Sequence, residues 1–119
     1  EFLEYDATLL GNHYFDIGVQ RPEDFAKRVD FPILASNVYC LSSSVVQKHL
    51  RLNLSCGHDD DDVFRCLVGV TTAEDNLLRG AGVTIRPAVE SVLAYSSQLK
   101  GDGICPPIIV LSLAGIMVD

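Results

Sequence analysis

Short apolar runs bounded by turn residues alternate with polar, helix-compatible stretches along this chain. YDATLL at 5–10 and FPILAS at 31–36 are largely apolar and bracketed by turn residues, the pattern of strands buried on both faces of a parallel sheet. Between them RPEDFAKRV, at 21–29, predicts a helix. Pro22 suits its first turn, Glu23 and Asp24 suit the electropositive N-terminal end, and Phe25 and Val29, four apart, share a face. The three pieces make a βαβ unit, for which a right-handed crossover is expected.

Further along, LRLNLS at 50–55 alternates apolar and polar positions and VFRCLVGV at 63–70 is rich in β-formers. The polar link CGHDDDD between them predicts a hairpin. A turn-rich stretch, TTAEDNLLRGAG, then leads into a helix expected over 85–99. Pro87 falls in its first turn, and Ile85, Val89, Val92, Leu93 and Leu99 lie near helical spacing. KGDG ends this helix, and PPIIVLSLAG supplies a last buried strand at 108–111 that runs into a small-residue turn. The fold class expected is α/β, with a mostly parallel sheet, a βαβ crossover and an inserted β-hairpin, without internal repeats. Ligand chemistry in such sheets belongs beyond the carboxyl ends of the strands. Two turns qualify: GNHYFD at 11–16 and SLAG at 112–115.

Length and composition narrow the picture. A chain of 119 residues, 48% apolar and 21% charged, has the size and character of one globular domain. Its formal charge of −7, with only nine Lys and Arg, argues against nucleic acid as a partner. The longest apolar stretch, at 104–118, contains two prolines and is shorter than the ~20 residues of a membrane-spanning helix, so no membrane span is expected. The opening EFLEYDATLL shows no initiator Met and no signal-peptide pattern, which reads as a fragment.

Four cysteines, Cys40, Cys56, Cys66 and Cys105, lack CxxC spacing, so a zinc ribbon or thioredoxin motif is not indicated. Cys56 and Cys66 flank the hairpin link, where a bridge is conceivable and buried free thiols are equally compatible; Cys40 and Cys105 have no assignable pairing. Asn53-Leu54-Ser55 fits the glycosylation acceptor pattern, and with the cysteines it leans toward a secreted or extracellular setting, without fixing the compartment.

The most specific local cluster is Asn12, His13 and Asp16: an amide, an imidazole and a carboxylate in a turn that leaves a strand. A plain loop clasp between His13 and Asp16 accounts for it as readily as catalysis does. Other clusters carry less. The aspartates at 59–62, preceded by His58, lack the alternating ligands and central glycine of a calcium loop and read as a solvated hairpin tip. His49 has no acidic or cysteine neighbour in sequence and reads as a surface histidine. GAG at 80–82 and GDG at 101–103 fit turns, and Ser112 lacks the G-x-S-x-G frame of a hydrolase elbow.

The segment YDATLLGNHYFDIGVQRPEDFAKRVDFPILASNVY resembles the stretch of 5'-nucleotidases, UDP-sugar hydrolases and apyrases that carries Gly-Asn-His-Glu-Phe-Asp, and IIVLSLAGIMVD resembles their strand and Leu-Ser-His-x-Gly turn. These enzymes are calcineurin-like metallophosphoesterases. The resemblance implies a single partial domain over 1–119, part of an α/β/β/α sandwich, in a hydrolase of nucleotides or other phosphate esters. It implies a centre of two divalent ions, zinc, manganese or similar, with Asn12 as a metal ligand. His13 would stabilise the phosphoryl group in transfer or protonate the leaving oxygen, and Asp16 would orient His13. Two departures stand out: Tyr14 takes the place of an acidic residue, and Leu113 that of a metal-binding histidine. The family's Asp-x-His, Gly-Asp and Gly-His-x-His motifs do not occur in these residues. The expectation is therefore a phosphoesterase segment that does not hydrolyse by itself. The alternative is a degenerate, non-catalytic domain kept as a structural or interaction subunit beside other protein chains.

Overall fold

Pro22, which lacks an N–H and fixes its own φ, sits buried in the first turn of helix α1 (Gln20–Ala26), where the missing donor costs nothing. In this computed structural model, which describes residues 4–16, 18–39, 45–53, 64–72, 82–103 and 107–113, α1 joins two parallel strands. β1 (Thr8–Leu9) pairs with β2 (Ile33–Leu34) in the register Thr8↔Ile33 and Leu9↔Leu34. The expected βαβ unit is thus formed, with strands shorter than the apolar runs that announced them. Phe25 and Val29 both pack onto the core, as their spacing required.

β3 (Val38–Tyr39) follows directly, then β4 (His49–Asn53) and β5 (Phe64–Thr71), which pair antiparallel from His49↔Val68 to Asn53↔Phe64. This is the expected hairpin; its polar link, with Cys56, His58 and the aspartates at 59–62, lies outside the described residues. β6 (Thr84–Ile85) pairs antiparallel with β3, α2 spans Ala88–Gly101, and β7 (Ile108–Leu113) lies parallel to β5 from Cys66↔Ile108 to Thr71↔Leu113. The chain is a mixed α/β fold in which β5 is the middle strand of a three-stranded sheet ordered β4-β5-β7.

Short hydrogen bonds join the β1–β2 pair to the rest. Ala35 N–H donates to Gln47 O at 2.9 Å, and both the backbone N–H and the hydroxyl of Ser36 donate to Gly69 O, at 2.7 and 2.8 Å. Position 69 must be glycine for this approach: a Cβ there would lie 2.6 Å from Leu34 Cβ and 2.8 Å from Leu34 O. Around this seam Leu10, Phe15, Ile33, Ala35, Val38, Val45, Val46 and Val83 form the core cluster.

The structure corrects three expectations. Helix α2 starts at Ala88, because Pro87 holds an extended backbone (ψ 132°) at the N-cap and Ile85 belongs to β6 instead. Along this helix Leu99 is buried, whereas Val89 and Leu93 are 72% and 64% exposed. Among the described residues the last strand lies at the edge of its sheet and is not buried on both faces, with Ile109, Val110 and Leu113 substantially exposed. Cys66 is buried and disulfide-bonded, so the free-thiol reading does not hold for it; the other three cysteines lie outside the described residues. Among the described residues no helix is long and apolar enough to cross a membrane.

Candidate phosphoesterase site

β1 ends where Leu10 N–H donates to Leu34 O at 3.1 Å. Gly11 caps a single 3-10 turn, Asn12–Phe15, whose bonds run from Tyr14 N–H to Gly11 O and from Asp16 N–H to His13 O. Buried Phe15 and Asn12 anchor one side of this turn in the protein. A 3-10 helix has three residues per turn, so side chains at i and i+3 eclipse. His13 and Asp16 therefore stand one above the other, with His13 Nδ1 3.1 Å from Asp16 Oδ2. Both are exposed, and exposed pairs of this kind contribute only about 0–1 kcal/mol, so the pair does little for stability. Its chemical effect is orientation: with Nδ1 held by the carboxylate, Nε2 is the ring nitrogen left for another partner.

The carboxyl end of β7 reaches the same place. Thr72 N–H donates to Leu113 O at 2.9 Å, and Leu113 Cδ2 lies so close to Gly11 that a Cβ on that glycine would stand 3.2 Å from it. The end of β7 thus meets the Gly-Asn-His turn through Leu113; residues 114 and 115 of the second turn lie outside the described residues. The donor set does not fit two cations. Asn12 offers one neutral amide oxygen, Leu113 offers none, and among the described residues no three His, Cys, Asp or Glu side chains gather around a point that a metal would fill.

Beside His13 a cleft of about 550 Å³ opens between the turn and α1, lined by His13, Tyr14, Arg21, Asp24, Phe25 and Arg28. Tyr14 and Phe25 form one wall, their rings 5.2 Å apart and tilted by 42°. Sequence reasoning read α1 for its apolar face and for Glu23 and Asp24 at its N-terminal end, and passed over Arg21 and Arg28. The signal was present: positions 21, 24, 25 and 28 recur at i, i+3, i+4 and i+7, one side of a helix.

His49 is not the isolated surface histidine expected. Its Nδ1 lies 2.7 Å from the Tyr95 hydroxyl of α2, with the rings 5.9 Å apart. Lys48 Nζ lies 4.8 Å and Arg86 Cζ 4.3 Å from the Tyr39 ring centre, completing a cationic and aromatic cluster away from the 3-10 turn. Burial, and secondarily the neighbouring Tyr39, pushes the Tyr95 phenol above its ordinary range.

Two curated proteins align with nearly the whole chain. "Protein 5NUC" of Lutzomyia longipalpis is 30% identical over 118 residues, and the snake venom 5'-nucleotidase of Naja atra is 32% identical over 124 residues. Each alignment covers 98% of this chain. The chain is a partial match to the 5'-nucleotidase family. It spans about a fifth of the length of these two relatives, 21% and 22%. The calcineurin-like phosphoesterase YfkN from Bacillus subtilis superimposes with a TM-score of 0.75 over 96% of this chain and 36% of its own, at 24% identity, which establishes the shared fold. No protein-family model matches the chain.

Proposed function

We propose that this chain is the part of a phosphoric ester hydrolase of 5'-nucleotidase type that presents an oriented imidazole to the phosphoryl group. One observation carries the reading: the His13–Asp16 pair, 3.1 Å apart, at the carboxyl end of β1 in a chain whose relatives include a 5'-nucleotidase. In this reading His13 Nε2 stabilises the transferring phosphoryl group or protonates the departing oxygen, and Asp16 holds its tautomer. Asn12 is proposed as one metal ligand. The remaining donors come from outside the described residues, and the 119 residues in isolation do not turn over substrate. The substrate proposed is a nucleotide or related phosphate ester, and the protein a single partial domain over 1–119. A secreted setting is supported by the Cys66 disulfide and by the venom source of one relative.

Leu113 against Gly11 favours a second reading, a domain that has lost metal and hydrolysis and is kept as a structural or interaction subunit. The test assays the complete polypeptide that contains this sequence with AMP in Mn²⁺ or Zn²⁺. The first reading expects metal-dependent phosphate release that falls about 10²–10⁴-fold in His13→Gln, the usual size of a lost acid–base contribution. It also expects Leu113→His to tighten metal binding measured by calorimetry. A folded complete polypeptide without metal-dependent turnover overturns it in favour of the second.

A further inference from the structure

We propose that the cleft between the 3-10 turn and α1 is a subsite for a second anionic group of the substrate, held by Arg21 and Arg28. The inference rests on the phosphoesterase reading for its substrate, and it selects, among phosphate esters, those with more than one anionic group.

The observations are geometric and electrostatic. Arg21 and Arg28, seven residues apart, line the same cleft as His13. The helical path extends to Arg28, since Lys27 keeps helical angles and Arg28 N–H donates to Phe25 O at 2.9 Å. Neither guanidinium has an ion-pair partner among the described residues, in a chain with a formal charge of −7. The carboxylate on this wall, Asp24, lies instead 3.7 Å from Lys27 Nζ, outside the set of lining residues. The cleft therefore keeps two unneutralised planar forks, the side chains best suited to bidentate phosphate contacts. The tilted Tyr14–Phe25 pair gives the remaining wall an apolar surface, on which the organic part of an ester would rest.

The acyclic probe pair phosphate and pyrophosphate tests this by calorimetry on the complete polypeptide in EDTA, which separates the cleft from any metal centre. Pyrophosphate is expected to bind at least tenfold more tightly than phosphate, and the advantage to vanish in R21Q/R28Q while far-UV circular dichroism stays unchanged. Equal affinity for the two anions in the wild type, or an advantage that survives R21Q/R28Q, overturns the subsite. Should that double variant not fold, amide shifts of the wild type decide: pyrophosphate must perturb residues 13, 21 and 28, and perturbation elsewhere alone overturns the inference. Because anion binding is measured separately from AMP turnover, the outcomes separate. Arginine-dependent binding without AMP hydrolysis removes the phosphoesterase reading, whereas hydrolysis with arginine-independent binding removes only the subsite.

Discussion

Asn37 shows how much one amide can hold. Fully buried, it donates from Nδ2 to Thr71 O at 2.9 Å and to Arg86 O at 2.8 Å, while its Oδ1 accepts from Thr71 N–H at 3.1 Å. The end of β5 and the residue after β6 are thereby tied to one side chain. Asn37→Leu keeps the approximate volume but strands three backbone groups, each costing about 1–3 kcal/mol when buried unpaired. A loss of several kcal/mol in urea denaturation is expected, whereas Thr71→Val is expected to be neutral or stabilising because the buried Thr71 hydroxyl has no hydrogen-bond partner among the described residues. Equal losses in both variants would count against this account. The sequence hides such a residue. Asn37 lies in the apolar run FPILASNV, and its partners stand 34 and 49 positions away. His13 and Asp16 were legible for the opposite reason: a spacing of three is local, and one turn of backbone brings them together.

Between β4 and α2 the contact is a polar clasp, His49 to Tyr95, flanked by Lys48 at 5.9 Å from the Tyr95 ring. The folded protein raises the Tyr95 pKa, so it binds the phenolic proton more tightly than the unfolded chain does. That contribution is complete below the unfolded value, about 10, and is lost as pH rises from there through the raised folded value. Melting curves between pH 9 and pH 11, approximate limits set by that phenol range, should show a steeper loss of stability in the wild type than in Tyr95→Phe. Parallel slopes would refute the clasp's titration. Helical periodicity found α2 but not where it begins. A run of Val89, Val92 and Leu93 says which positions are apolar, yet it does not specify whether another element lies against them. The same limit applies to β7, whose alternation-free apolar run fits a central strand and an edge strand alike. Two-residue strands such as β3 and β6 are too short to carry any period, and only their pairing reveals them.

Apart from β3 and β6, the assembled molecule keeps an α/β order that was legible in the sequence: crossover, hairpin, helix, parallel strand. Its class follows from apolar runs punctuated by turns, and a shared fold with a calcineurin-like phosphoesterase is reached from one third of that protein's length. What the order could not reveal was the covalent tie at Cys66, since four cysteines admit three complete pairings. Removing a native disulfide commonly costs about 2–5 kcal/mol in a small secreted domain. Dithiothreitol or Cys66→Ala should therefore lower the urea midpoint of the oxidised protein by a like amount; coincident midpoints would show the bridge to be energetically idle. One further consequence lies at Leu113, whose backbone is fixed by the bond from Thr72 and whose side chain meets Gly11. On the proposed reading, ancestry and loss are separable there: the scaffold kept its place and only the donor atom vanished. Such a change needs no accompanying repair of the sheet, so a single substitution at position 113 is enough to put a donor atom back beside Gly11.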